Sequence, residues 1–454
     1  MHLRLPSFQK LLPTQARLIV GLQIAASMSL SAAHTDLAPG TDERQLPFKM
    51  HSEMKVRPVI RVGQSESEAD LTGRDHRVLQ AAVDYVANLG GGTVEIGPGT
   101  YEMRDSLHLR PYVTVRGTPG KTVLRKSKAS TSALARDGDF GEEQITVHDA
   151  QGFEVGSSVT IWDKNSGGFH TTVARIIGRT GNTFALDRPL NADCMVSNGA
   201  QAATVFGVIS GYDLKGCRLE GLTIDGNKAE NPPINGCRGA GIYLYRGFGT
   251  VIENCTVRNF NGDGIGFQQS NDVVVRNCIS EGNTSLGFHP GSGSQRPTIE
   301  HSVARANGED GLFLCWRVRH GTFQKNLFEN NGRFGISIGH KDTDNLFTEN
   351  QVRSNQDSGV FFRDESAAMA GHRNTFEGNL IENNGKTEGS AGVRVRGETS
   401  GLEFKRNTIR DTRPAPERKQ TVGFLLEQKV GEVKLTDNTV EAKTSVVDRR
   451  EKKP

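Results

Sequence analysis

The chain lacks most of what would mark a familiar globular or membrane class. No charge of one sign dominates, since 55 Lys and Arg stand against 52 Asp and Glu. There is no basic patch with interleaved aromatics, so nucleic acid is not an expected partner. Hydrophobic residues make up only 35% of the chain. Helical spacing of apolar residues is confined to residues 76–88, which excludes a bundle. Outside residues 18–30 no apolar run approaches a membrane span. Six cysteines (Cys194, Cys217, Cys237, Cys255, Cys278, Cys315) include no CxxC pair, which argues against structural zinc. Their even number permits disulfides, but their spacing is not that of a small disulfide scaffold. Glycine is what the chain has in plenty, with 53 residues. Much glycine with modest apolar content points to a turn-rich β architecture.

The N-terminus has the order of a secretory signal: Arg4, Lys10 and Arg17, an apolar run over 18–30, then Ser31, Ala32 and Ala33. Cleavage near Ala33 is expected, with a secreted or periplasmic product and no stable membrane span afterwards. Residues 34–60 read as a linker. Residues 61–125 hold a helix with Val78, Leu79, Ala82, Val83 and Val86 on one face, then short alternating strands. Residues 126–205 alternate differently, through Ile145, Val147, Val159, Ile161 and Val173, and are expected to form a small inserted β subdomain. Repeats run over 206–445, and 446–454 is expected to be a disordered tail.

Within the repeats Gly241, Gly264, Gly287, Gly311, Gly335 and Gly359 recur at steps of 23 or 24 residues. A period in the low twenties, with strands and polar turns, means a β-solenoid. The residue after each glycine is apolar, as is the one two further on, so these columns face inward. A second column reads Asn254, Asn277, His301, Asn326, Asn350, Asn379, Asn407 and Asn438. It is expected at tight turns, each amide bonding to its copy in the next coil. Three residues earlier lie Val251, Val274, Thr298, Phe323, Phe347, Phe376 and Phe404, read as an interior stack. Cys255 and Cys278 are expected in adjacent coils as stacked reduced thiols.

The pattern GGGTVEIGPGTY at residues 90–101, with the helix before it and the repeats after it, resembles the right-handed parallel β-helix, or pectin-lyase-like, superfamily. The resemblance covers about residues 75–445. It implies an all-β right-handed parallel β-helix, a solenoid with a short N-terminal capping helix and a small inserted β subdomain. That superfamily contains polysaccharide lyases, glycoside hydrolases, uronate epimerases and non-catalytic spikes. GFHPGSG at 287–293 resembles the GF-Asp-Pro-His-Asp row of mannuronan C5-epimerases, but His289, Gly291 and Ser292 replace its polar residues and Pro290 alone remains. Gly339-His340-Lys341 half matches the Gly-His-Gly row of polygalacturonases.

Stacking outward residues by their distance from the ladder glycine gathers one band of chemistry. Trp316, His340 and Asp364 fall in line over consecutive repeats, and so do Arg317, Lys341 and Glu365. A histidine beside an aspartate is oriented and made more basic. The expectation is a groove in which His340 takes a proton and Asp364 orients it. Lys341 with Arg363 or Arg317 neutralises a substrate carboxylate, and Trp316 and His289 line a sugar subsite. Arg319, His320 and Glu365 join the rim, with Asp342 and Asp344. The blander reading is a row of solvent-facing ion pairs, worth little.

The function expected is an exported enzyme that cleaves a polysaccharide, an acidic one, by β-elimination. A glycoside hydrolase would instead use Asp364, Glu365, Asp342 or Asp344 as its carboxylates. A uronate epimerase, or a non-catalytic glycan-binding surface protein, are the other readings. No cofactor is required, although these four acidic residues offer at most one divalent-cation site, calcium being the candidate. Nothing in the repeats specifies an oligomeric state.

Overall fold

The computed structural model describes residues 56–450. The expected signal segment (1–33) and nearly all of the expected linker lie outside the described residues.

Along the repeats the chain winds through short strands, and in two of the sheets these are mostly three residues long, with the middle residue buried and its neighbours less so. Corner residues in the left-handed region join them, for example Asn254, Asn277 and His301 at φ 53°, 51° and 49°. Each coil so formed gives one strand to each of three parallel sheets, of 13, 11 and 11 strands. One inward column runs Ile242, Ile265, Phe288, Leu312, Ile336, Val360, Val393 and Phe424, in register and fully buried. The ladder glycine beside it is there because the coil is tight. A Cβ on Gly335 would lie 2.2 Å from Val352 Cγ1.

The asparagine column splits into two. Asn254, Asn277 and His301 are left-handed corners, and their equivalents in later coils are Lys325 and Glu349. Asn326, Asn350, Asn379 and Asn407 sit one residue further on and are buried in the coil interior. From Asn350 on, each of these side-chain oxygens accepts the backbone N–H and the amide of its copy in the coil before, as Asn350 Oδ1 does from Asn326 at 3.0 Å each. The aromatic column shifts with it. Its early members are Ile252, Val275 and Ile299 rather than Val251, Val274 and Thr298. Phe323, Phe347, Phe376 and Phe404 then stack face to face at 4.9, 4.3 and 5.0 Å. All six cysteines are free, and Cys255 and Cys278 belong to the interior column that Ser302 and Asn326 continue.

Helix α1 (His76–Asn88) starts at Asp75, whose carboxylate accepts the Arg77 N–H, and buries Leu79, Ala82, Val83 and Val86 over the first coils. Six strands between Thr131 and Ala203 form a separate sheet, antiparallel throughout, with its own apolar cluster. Buried Asp105 fastens this insert to the solenoid. It accepts from Ser158 Oγ of the insert, forms an ion pair with the insert's Arg175 at 2.9 Å, and pairs with His108 at 3.0 Å.

Candidate active site

The third sheet, which carries the strands Ala240–Tyr245, Asp263–Gln268 and Phe288–Gly291, presents the candidate groove. Across its outer face run His108, Ser210, Tyr243, Gly266 and His289, then Phe313, Ser337, Phe361 and Arg394. The next outward column brings Gln268, Gly291 and Cys315 side by side. The segment joining Thr223–Asp225 to Ala240–Tyr245 folds over the near end. A Cβ on its Gly236 would lie 1.8 Å from Asp263 Oδ2 and 3.0 Å from His289 Nδ1.

The placement of His289 therefore differs from expectation. It is not on an open rim, because a segment distant in sequence buries it. Its Nδ1 donates to Asp263 Oδ2 at 2.6 Å, with side chains 5% and 2% exposed. Its Nε2 lies 3.5 Å from the Gln268 amide, and its ring meets Phe313 edge-on at 5.5 Å. Burial pushes the imidazole down, but the Asp263 charge and hydrogen bond and the Cys315 thiol outweigh it and raise it to about 10. Cys315 is half-buried. Burial raises its thiol, yet the neighbouring imidazoles of His289 and His340, with the charges of His289 and Arg363, bring it down to about 6. Both shifts run the same way and favour a thiolate beside an imidazolium. The nearby thiol of Cys237 is pushed up to about 12 by burial and by the Cys315 and Asp263 charges, and stays protonated.

His340 flanks the thiol from the far side. Its Nε2 pairs with Glu365 Oε1 at 2.8 Å, and its Nδ1 has no hydrogen-bond partner. Trp316, 45% exposed, tilts against the His340 ring at 5.6 Å, and the Arg317 guanidinium lies 5.9 Å from the indole. Lys341 is half-buried beside them. Trp316, Arg317, His340 and Lys341 all adopt left-handed φ, between 50° and 66°, so both corners turn their side chains the same way. Asp263, His289, Cys315, His340 and Glu365 thus form one line, with a single residue from each successive coil of this sheet.

The remaining candidates fall elsewhere. Asp364 does not reach His340. It pairs with Arg396 at 2.9 Å and is 53% exposed. The stacking argument assumes equal corners, but the coil spacing grows from 24 residues (Gly321 to Asn345) to 29 (Asn345 to Asn374). The longer corner swings Asp364 outward and brings Glu365 onto the imidazole. Arg363 is not free for a substrate. It donates to Ser337 Oγ at 2.9 Å, the Leu314 carbonyl at 2.6 Å and Asp342 Oδ2 at 3.1 Å, beneath Phe313. Asp342 is fully buried and also accepts from Val318 N–H and Gly339 N–H. Arg319 is half-buried with its Nε unpartnered. His320 is exposed at a different corner, near Asp344, which Arg373 holds at 2.7 Å. Among the described residues no group of three or more His, Cys, Asp or Glu is arranged to hold a metal ion.

Sequence reasoning missed Asp263, Gln268 and Cys315 as site residues. A signal existed for Asp263. It precedes a ladder glycine, where the other coils place Ala240, Leu286, Phe334 or Ala391 and only Asp310 is also charged.

Fold and groove together define a parallel β-solenoid whose outer sheet carries the polar chemistry. The sequence model described as right-handed β-helix region matches residues 198–367 and 315–447, more than half of the chain. The chain belongs to the right-handed β-helix family. A search of the curated proteins finds no match. Among solved structures it is similar to polygalacturonase from Erwinia carotovora ssp. carotovora, at 12% identity over 89% of this chain and 100% of that one, TM-score 0.51. It is also similar to ORF18 of Geobacillus virus E2, at 11% identity over 86% and 62%, TM-score 0.50. The A-module of the mannuronan C-5 epimerase AlgE6 of Azotobacter vinelandii gives 16% identity over 84% and 96%, TM-score 0.49. At such identities the likeness is one of fold.

Proposed function

We propose that the protein is an exported enzyme that binds an acidic polysaccharide along this groove and cleaves it by β-elimination. The charge balance around His340 carries the reading. Every carboxylate nearby already has a partner: Glu365 has His340, Asp342 has Arg363, Asp344 has Arg373 and Asp364 has Arg396. Arg317 and Lys341 enter no ion pair among the described residues, so their charge is left for an anionic ligand.

In such an elimination the proton on the carbon beside the carboxylate leaves, and the bond to the glycosidic oxygen then breaks. Arg317 and Lys341 hold the carboxylate and take up the charge that spreads onto it. His340 accepts the proton at Nδ1, while Glu365 on Nε2 fixes the ring and stabilises the imidazolium. Trp316 stacks on a sugar face. Glycoside hydrolysis needs two carboxylates free to act as acid and base. The ion pairs around His340 leave no such pair, which favours elimination.

The test is incubation with a panel of polyuronates, following the ultraviolet absorbance of the unsaturated product. His340→Ala should slow its appearance roughly 100-fold or more, and Lys341→Ala should act mainly through KM. A folded protein that produces no absorbance from any polyuronate sinks the reading.

A further inference from the structure

The elimination reading uses only one side of the line of residues, the His340–Glu365 side. We infer that the other side, Asp263, His289 and Cys315, is a nucleophilic triad that cleaves a carboxylic ester carried by a glycan. This goes beyond elimination and does not rest on it, since neither the residues nor the bond broken are the same.

The order of contacts is that of a thiol nucleophile with its base and orienting acid. Asp263 holds His289 Nδ1 at 2.6 Å, which leaves Nε2 facing the column of Gln268, Gly291 and Cys315. Such a chain fixes the tautomer and keeps the imidazole ready to exchange a proton with sulfur. Burial follows the same order: acid and imidazole are sealed from water, and only the thiol reaches the groove. Trp316, the next residue along the chain, lies open for a sugar.

A second observation points to a ligand. Gln268 is fully buried, and its Oε1 has no hydrogen-bond partner. It lies over Gly291, the residue bridged to Cys315, where a Cβ would be 2.5 Å from that oxygen. A buried amide with an unused polar atom is costly to keep. Its amide nitrogen stands 3.5 Å from His289 Nε2, beside the thiol, and its oxygen is left to accept from a hydroxyl of the sugar that carries the ester. The thiolate favoured beside the imidazolium supplies the nucleophile.

The reaction balances with water as the only co-reactant. The Cys315 thiolate adds to the ester carbonyl, forming the C–S bond. As the intermediate collapses the C–O bond breaks, and His289 Nε2–H gives its proton to the departing alkoxide. A thioester and an alcohol result. Water then adds to the thioester, losing a proton to His289. The C–S bond breaks, the thiolate returns beside the imidazolium, and the acid leaves, giving its remaining proton to solvent as it becomes the carboxylate.

The full chain should hydrolyse p-nitrophenyl acetate with a burst of nitrophenolate, and should act on one of two glycan substrates. Acetate released from an O-acetylated polyuronate, or methanol from a methyl-esterified one, tells which ester is natural. Cys315→Ala should lower these rates roughly 1,000-fold, and Asp263→Asn roughly 100-fold. A readout on the unsubstituted protein removes any question of folding. Alkylation of Cys315 by iodoacetamide, read by mass spectrometry, should reach its plateau above about pH 6. In Asp263→Asn the plateau should move toward the range of an ordinary thiol, about pH 8.5. The triad is overturned if none of the three esters is cleaved, if Cys315→Ala cleaves them at the original rate, or if alkylation follows an ordinary thiol. The p-nitrophenyl ester carries no uronate, so its result stands apart from the fate of the elimination reading.

Discussion

Asp310 shows how one buried side chain can set a pH dependence. It is fully buried, one oxygen accepts the Phe334 N–H at 3.1 Å, and the other has no partner. Burial raises its carboxyl to about 6, against the Arg333 charge and the Phe334 bond, which lower it. The folded state therefore holds a proton that the unfolded chain has already lost between about pH 4 and 6, and stability falls as pH rises through that window. Asp310→Asn should be more stable than the natural protein at about pH 7, on the order of 2 to 3 kcal/mol, with the gain vanishing near pH 4. Thermal melts of both proteins at the two pH values decide it, and equal melting differences would contradict the argument. Legibility at this scale was uneven. Trp316, Arg317, His340, Lys341 and Glu365 could be gathered from spacing, and of these Trp316 and Glu365 lie against His340. The choice of Glu365 over Asp364 could not be read, because it depends on the length of a corner. The burial of His289 could not be read either, because its cover comes from a segment some fifty residues earlier (Gly236).

At the scale of the element, the buried asparagine ladder explains why coils so poor in strand length are regular. Asn350 accepts two hydrogen bonds from Asn326, and its own amide donates to the Phe323 carbonyl and to Asn379 Oδ1, both at 2.9 Å. Every polar atom of the side chain is used, which is what burial demands. Asn350→Ala would leave the Asn326 donors short of their acceptor and the Phe323 carbonyl and Asn379 Oδ1 short of a donor, and should cost on the order of 4 kcal/mol. Asn350→Asp, the same shape without donors and with a charge, should cost no less. Hydrogen exchange read coil by coil should show the loss concentrated in the coils of Asn326 and Asn379. Uniform loss over the solenoid would argue against a local ladder. The interior columns beside the glycines were plain in the sequence because period and polarity coincide there. The asparagine column was misread by one residue because early coils put asparagine at the left-handed corner and later coils put it inside. One residue type serves two physical purposes at adjacent positions.

For the whole molecule, the exposed ends of the solenoid are the weak point, since a parallel stack always leaves strand edges to cover. Helix α1 covers the first coils through Leu79, Ala82, Val83 and Val86. Val83→Asp would bury a charge among them and release the cap. The expected outcome is association that grows with concentration in light scattering, together with a lower melting temperature. A monomer with an unchanged melt would show that the helix is dispensable. The asparagine ladder carries one consequence of another kind. Its bonds connect coils 24, 29, 28 and 31 residues long at the same spacing. Rise per coil and perimeter of a coil are thus set by separate means. Added sequence enlarges the outline of a turn without stretching the stack. Lineages of this chain can remodel the walls of the groove by insertion while the ruler beneath it keeps its graduations.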